Sequence, residues 1–425
     1  MGTLLIRNGY VIDPAQKLSG HYDVLIEGTR ILRVEPRVTE RVDRVIEAKN
    51  LLVMPGIIDM HVHLRDPGQT EKEDIYTGCN AAVTGGVTSL LCMPNTRPAI
   101  DNRETIAYIQ RLAQKAKAKI YICGAATKGL SGEELGDYAM YRELGVCAVS
   151  DDGRPVESAE QMEQVLLKAQ QAGLRVVSHC EDLAIVNGGI IHKGSVSEDM
   201  QVRGIDRLSE DRITQREIEL AERTGAPVHI CHVSTKGSTE LIRAAKKRGV
   251  PVTAETCPHY FAYTHEKLRS RDADYRMNPP LREPEDVAEI IRGIQDGTFD
   301  CIVTDHAPHT KREKMDFRKA PNGTVGLETS LAAGIRFLVE PGHIKLERLV
   351  ELMTFGPARV LGIEGGSLEP GMAADLALVD PKAFWTVLPE RLQSKSKNSV
   401  FKFERLQGRV KYTLVNGEIV YVMRY

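Results

Sequence analysis

His61-Val62-His63 and a few later histidines and aspartates are the residues of this chain whose types and spacing could do chemistry. Residues two apart on an extended strand point to the same side, so both imidazoles of an H-x-H pair can face one ion. Taken alone, H-x-H also fits two ordinary strand histidines. What separates these readings is where the other donors fall. Asp151-Asp152, His179, His232 and Asp305 each close a short apolar run. Nitrogen and oxygen donors at the same end of five such runs are the set zinc takes, at about 2.0–2.2 Å. Five independent turns or core histidines would be the alternative, and the convergence favours a metal. Spacing does not choose between Asp151 and Asp152. Other histidines lack this pattern. His229, three residues before His232, falls on the opposite face of its strand by period two and is assigned to packing. His192, His265 and His343 lie in loop or helix stretches and are expected at the surface, while His259 and His306 adjoin run ends and stay open.

The elements that must position these residues alternate. From about residue 55, strand-like apolar runs at 57–63, 88–94, 119–127, 146–151, 175–180, 228–234, 252–259 and 301–306 are separated by amphipathic stretches. That alternation predicts parallel strands with crossover helices. Between the fourth and fifth runs a helix is marked by Ser158 and Gln161 as a capping box, by Met162, Val165, Leu166 and Ala169 as its apolar stripe, and by Gly173 as its end. Eight strands with helices between them predict an α/β fold, a (β/α)₈ TIM-type barrel over residues 55–365, whose chemistry sits at the C-terminal strand ends. The two termini read differently. "LLIRNGYVIDP" and "YDVLIEGTRILRVE" alternate with Asn-Gly and Glu-Gly turns between, and "VKYTLVNGEIVYV" mirrors them. Residues 1–54 and 366–425 are therefore expected to pair into a small β-sandwich domain.

Composition narrows the partners. Lys plus Arg is 56 against 58 Asp plus Glu, a net charge of −2, which gives no footprint for nucleic acid or an anionic membrane. No apolar run approaches the ~18 residues of a span and no signal peptide is evident, so a cytoplasmic protein acting on a small polar substrate is expected. The eight cysteines have no C-x-x-C spacing, and seven fall in strand-like runs, so they read as reduced core residues.

At "HVHLRDPG", "MPNTRP", "SDDG", "SHCED", "HVSTK", "ETCPHY", "MNPPLR" and "TDHAPH" the chain resembles the amidohydrolase superfamily, and within it the bacterial type I dihydroorotases. The likeness runs from about residue 5 to the C-terminus. It implies two zinc ions per subunit, with one as an open alternative for the protein as isolated: His61, His63 and Asp305 on one, His179 and His232 on the other, and a carboxylate bridging both. Related dihydropyrimidinases, hydantoinases and allantoinases bridge with a carbamylated lysine on strand 4. Here residues 146–155 contain no lysine, and the resemblance places the bridge on Asp152. Lys128 follows strand 3, the wrong strand for that role.

The resemblance further implies hydrolysis of the cyclic amide of dihydroorotate, and in reverse closure of N-carbamoyl-L-aspartate, in pyrimidine synthesis. Zinc would lower the pKa of water to about 7 and polarise the carbonyl, with Asp305 as the proton shuttle. Arg65, Asn95 and His309 would take the substrate carboxylate, and Asn278 with the Asn322-Gly323 backbone would hold the ring. If the extended run continues past His63, Arg65 shares its side. The charged segment 311–319 reads as solvated surface, a lid being the alternative. A homodimer is the expected assembly. A complex with aspartate carbamoyltransferase stays open, as do two other readings: a hydantoinase-type cyclic amidase, and a non-catalytic scaffold for that transferase, which would have lost metal ligands that are all filled here.

Overall fold

Eight short apolar segments of this chain have too little surface to stand alone, and they are satisfied by pairing side by side. In the computed structural model, which describes residues 2–423, they form one parallel sheet. Its strands are β1 (Ile57–Val62), β2 (Val87–Cys92), β3 (Lys119–Ala125), β4 (Ala148–Ser150), β5 (Arg175–Ser178), β6 (Val228–Ile230), β7 (Val252–Thr256) and β8 (Cys301–Ile302), paired in sequence order. A parallel bridge between Val62 and His306, with the His63 N–H donating to the His306 carbonyl at 2.9 Å, joins the two ends into a barrel. All eight strands fall within the runs expected from sequence, give or take a residue.

The helix between β4 and β5 spans Ala159–Ala172 and buries Met162, Val165, Leu166 and Ala169. Ser158 caps it by accepting the Gln161 N–H at 3.2 Å, and Gly173 ends it in the left-handed region at φ 68. The capping box is only half formed, because the Gln161 side chain donates instead to the Glu133 carbonyl.

A second sheet gathers both termini. Thr3–Asp13, Leu18–Glu27, Arg30–Glu35, Arg44–Glu47 and Leu52–Pro55 join Leu376–Thr386, Arg405–Val415 and Glu418–Val422. The link between the N- and C-terminal halves is the antiparallel pairing of Leu52–Pro55 with Leu376–Val379. Positions 1, 424 and 425 of the expected terminal module lie outside the described residues. Asn416-Gly417 makes the expected turn, with both residues at positive φ. Asn8-Gly9 does not: it is a bulge inside the first strand, where the pairing register shifts between Ile6 and Gly9. The first turn lies at residues 14–17 instead, where Lys17 N–H donates to the Pro14 carbonyl.

Between β5 and β6 the chain inserts a small parallel pair, Ile191–His192 with Gly204–Ile205. This insertion buries Ile191, Val196 and Met200 against Leu268, Ala273, Phe317 and Ala320. It overturns two expectations. His192 and His265 are 1% and 3% exposed rather than at the surface, because the insertion folds over them; His343 is half-buried. The 311–319 segment is only partly solvated. Phe317 packs into this cluster, and Lys314 Nζ turns inward to donate to the carbonyls of Pro321 at 2.9 Å and Gly323 at 3.0 Å. Met315, at 78% exposed, keeps to the expected surface.

Candidate active site

The chemically active side chains lie at, or within three residues of, the C-terminal ends of five barrel strands, on the barrel's C-terminal rim. His61 lies in β1 and His63 just beyond it, Asp152 follows β4, His179 follows β5, His232 follows β6 and Asp305 follows β8. All six are 6% exposed or less.

Asp152 is the hub. Its Oδ1 lies 3.4 Å from His61 Nε2, 3.5 Å from His179 Nδ1 and 3.5 Å from His232 Nε2, while its Oδ2 lies 3.5 Å from His63 Nε2. Asp305 Oδ1 stands 3.2 Å from His63 Nε2 and 3.8 Å from His61 Nε2. Among the described residues, three buried donor groups compact enough for a metal ion share His61: His61–His63–Asp305 and His61–Asp152–His232 on the side of Asp152, and His61–Cys231–Glu255. His179 Nδ1 faces His232 Nε2 at 2.9 Å on the second side. His232 and Asp305 adopt positive φ, 32 and 47, conformations that side chains other than glycine rarely take and that functional sites tend to hold.

The far nitrogens of three of the histidines fix which ring nitrogen carries the proton. His61 Nδ1 donates to Glu255 Oε1 at 2.7 Å, His63 Nδ1 to Asn95 Oδ1 at 2.8 Å, and His179 Nε2 to Glu181 Oε2 at 3.1 Å. Each partner is an acceptor, so each proton is held on the outer nitrogen and a lone pair points inward. His61 Nε2 and Asp152 Oδ1 are buried without any hydrogen-bond partner. Buried acceptors converging on one point without donors are costly alone and suit a cation.

The acids and imidazoles of the rim also hold one another's charge. Burial alone would raise the Asp152 carboxyl, but His61, His179 and His232 hold it well below the usual carboxylate range. Burial would lower His179, yet Asp152 and Glu181 push it up to about 10. His259, open from sequence, follows β7, is buried without a partner at Nε2, and is held neutral by burial, at about 4. His306 belongs to the barrel seam, accepting the Gly326 N–H on Nδ1 at 3.2 Å and facing Glu73 Oε2 at 3.3 Å.

The adjacent Asp151 faces away. Its carboxylate accepts the Thr127 N–H at 3.0 Å and the Thr127 hydroxyl, tying the end of β4 to β3. Lys128 is exposed and pairs with Glu134, outside the rim.

Above the rim, β1 ends at Val62, so Arg65 does not reach its place by continued alternation. It turns in through a positive φ of 60 and is 8% exposed. Its Nε donates to the Pro308 carbonyl at 3.3 Å, and its Nη2 lies 3.5 Å from His309 Nε2. His309 Nε2 in turn donates to the Asn322 carbonyl at 2.8 Å. Asn95 spans His63 and Asp152, its Nδ2 lying 3.4 Å from Asp152 Oδ2. Asn278 is half-buried and lies near Glu181, whose carboxyl it helps hold below the usual range. The Gly323 N–H donates to the Arg276 carbonyl at 2.9 Å, and at φ 141 a side chain there would meet Ala307. Asn398, from the C-terminal segment, donates to the carbonyls of both Ala307 and Gly323 and accepts the His309 N–H at 3.1 Å.

Sequence reasoning missed Glu255, Glu181 and Asn398. Two of them carried a signal: each acid lies in a stretch already singled out, Glu181 two residues past His179 and Glu255 inside an apolar strand. His229 also needs correction. It is fully buried, but toward the barrel, donating from Nε2 to Glu255 Oε2 at 3.1 Å. The period-two rule fails there because β6 ends at Ile230 and His232 leaves the strand at positive φ. A further cluster, His192–His265–Glu283, lies outside the rim. Two of its members already face cations, Arg282 at His192 Nδ1 and Arg207 at Glu283, while His192 Nε2 and His265 Nδ1 have no hydrogen-bond partner.

The amidohydrolase family model matches residues 52–420. Dihydroorotases of Geobacter metallireducens and Acetivibrio thermocellus are 47% and 45% identical, over 98% of this chain and 99% and 98% of their own lengths. Among solved structures, the L-hydantoinase (dihydropyrimidinase) of Arthrobacter aurescens superposes with a TM-score of 0.89 at 23% identity, covering all of this chain and 98% of that one, a likeness of fold. No helix among the described residues is long and apolar enough to cross a membrane. The full-length match to curated relatives, joined to a histidine and aspartate rim of this geometry, makes the chain a member of the dihydroorotase family of metal-dependent amidohydrolases.

Proposed function

We propose that the chain catalyses the reversible hydrolysis of the cyclic amide of dihydroorotate, using two zinc ions, and in reverse closes N-carbamoyl-L-aspartate for pyrimidine synthesis. The observation that carries this reading is the set of inward lone pairs around Asp152, each fixed by a distal acceptor. His61, His63 and Asp305 would hold one ion and His179 and His232 the other, with Asp152 between them. When bound, zinc supplies Lewis acidity and lowers the pKa of water at the site to about 7.

The chain's own residues do the rest. Asp305 Oδ accepts the proton of the attacking water as the water oxygen bonds to the amide carbon. It then delivers that proton to the ring nitrogen as the C–N bond breaks, leaving a carbamoyl N–H and a carboxylic acid that gives its remaining proton to solvent. Run backward, the carboxyl regains that proton from solvent, and Asp305 takes the proton from the nitrogen and passes it to the oxygen that departs as water. Arg65 is buried beside His309, and burial lowers its basicity without discharging it. A substrate carboxylate placed there would gain charge-assisted hydrogen bonds in a dry setting. Asn95 and His309 would share that carboxylate with Arg65, Asn278 and the Asn322-Gly323 backbone would hold the ring, and Asn322 Oδ1 is buried with no partner of its own. Side-by-side assays on dihydroorotate and hydantoin test the substrate. Preference for dihydroorotate is expected; equal or better turnover of hydantoin would overturn it.

A further inference from the structure

Three of the four rim histidines have a distal partner, but only one partner reaches ligands on both sides of Asp152. Glu255, on β7, is fully buried. Its Oε1 accepts the His61 Nδ1–H at 2.7 Å and also the His232 backbone N–H at 3.3 Å. Its Oε2 accepts the His229 Nε2–H at 3.1 Å, and His229 Nδ1 accepts the Thr253 hydroxyl at 2.8 Å. Thr253, His229 and Glu255 form a chain in which every donor meets an acceptor.

The chain has two mechanical consequences. An ionised carboxylate can only accept, so His61 must keep its proton on Nδ1 and turn the Nε2 lone pair toward Asp152. The same oxygen holds the amide of His232, whose φ of 32 would otherwise relax toward a commoner conformation. With His229 and Thr253 on its far side, the carboxylate cannot rotate to serve one ligand and abandon the other.

We propose that Glu255 is a positioning residue that couples the two halves of the metal centre, setting the tautomer of His61 and the backbone of His232 from one carboxylate. This rests on the zinc reading above. Because Glu255 touches neither substrate nor reacting atoms, its effect should fall on metal affinity and kcat rather than on KM.

The test uses the full chain and zinc alone as the first probe. Zinc affinity is measured by chelator competition for wild type, Glu255→Gln, Glu255→Leu and Thr253→Val, and kcat and KM for dihydroorotate are then measured at saturating zinc. Glu255→Gln keeps shape and folding while removing the charge, and about tenfold weaker zinc binding is expected. Glu255→Leu removes the acceptor, and about 100-fold is expected, the range seen when such outer partners of metal ligands are lost. Thr253→Val, one step farther out, should weaken binding less than Glu255→Gln. At saturating zinc kcat should fall while KM holds. Wild-type affinity in both Glu255 variants, or a loss confined to KM, would overturn the proposal. Absence of zinc binding in wild type would instead remove the reading beneath it.

Discussion

Asp151 and Asp152 are neighbours in sequence and face opposite ways: Asp152 Oδ1 stands 3.4–3.5 Å from three histidines, whereas Asp151 is bound to the Thr127 backbone and hydroxyl. The two therefore separate chemistry from support. Asp152→Ala should bring zinc below the wild-type stoichiometry and abolish turnover. Asp151→Ala should retain zinc and instead cost about 1–3 kcal/mol of stability, because the Thr127 N–H loses its acceptor in a buried place. Zinc analysis and a denaturant melt on both proteins check this, and equal metal loss in the two would contradict it.

Arg65 lies beside His309 and spends its hydrogen bond on the Pro308 carbonyl rather than on Asp152 or Asp305, so it should matter to the substrate more than to the metal. Arg65→Met is expected to raise KM for dihydroorotate by about 10- to 100-fold, the worth of a charge-assisted hydrogen bond of about 1.5–3 kcal/mol. Zinc content should stay at the wild-type level. Steady-state kinetics with metal analysis decide it, and an unchanged KM would remove Arg65 from carboxylate binding.

Asn398 ties both arms of the 307–323 segment together, through Ala307 and Gly323 carbonyls and the His309 N–H. Asn398→Ala should leave these groups unpaired and let His309 drift from Arg65. The expected result is a KM several-fold higher with zinc retained, together with faster proteolysis within 311–319. Wild-type KM and cleavage would show that the segment holds its own shape.

Glu328 accepts the N–H groups of Gln393 and Ser394 on one oxygen, and burial pushes its carboxyl up to about 7. A raised carboxyl favours the protonated folded form, so this contribution is complete below about pH 4.5 and is lost as pH rises through about 7. Glu328→Gln keeps the accepting oxygen and removes the titration. The variant should therefore gain on wild type between pH 5 and pH 8, by about 1–3 kcal/mol or a few degrees in Tm. A Tm difference that is constant with pH would contradict the assignment.

The barrel was legible because its signals are local and repeated: eight apolar runs, each closed by a polar residue. The ligand-bearing rim was legible for the same reason, since a strand end is visible in sequence. What was not legible depends on where the chain leaves the strand. His229 and Arg65 were read by extending period two past Ile230 and Val62, and positive φ at His232 and Arg65 broke that extrapolation. The surface expectation for His192 and His265 fails because no local pattern reveals that the 191–205 insertion turns His192 inward against His265, ring centres 5.6 Å apart. Asn398 acts on His309 from 89 residues away, a relationship with no footprint in either segment. Glu255 is different, since a carboxylate inside an apolar strand is itself a signal that a partner must be waiting for it.

The most direct measurement is dihydroorotate turnover by the purified chain alone, with zinc quantified on the same sample before chelation, after it, and after zinc is restored. Turnover that tracks zinc content through the cycle is the expected result. Turnover that persists in the zinc-free sample, or a chain that takes up no zinc at all, would contradict the metal centre on which the account depends.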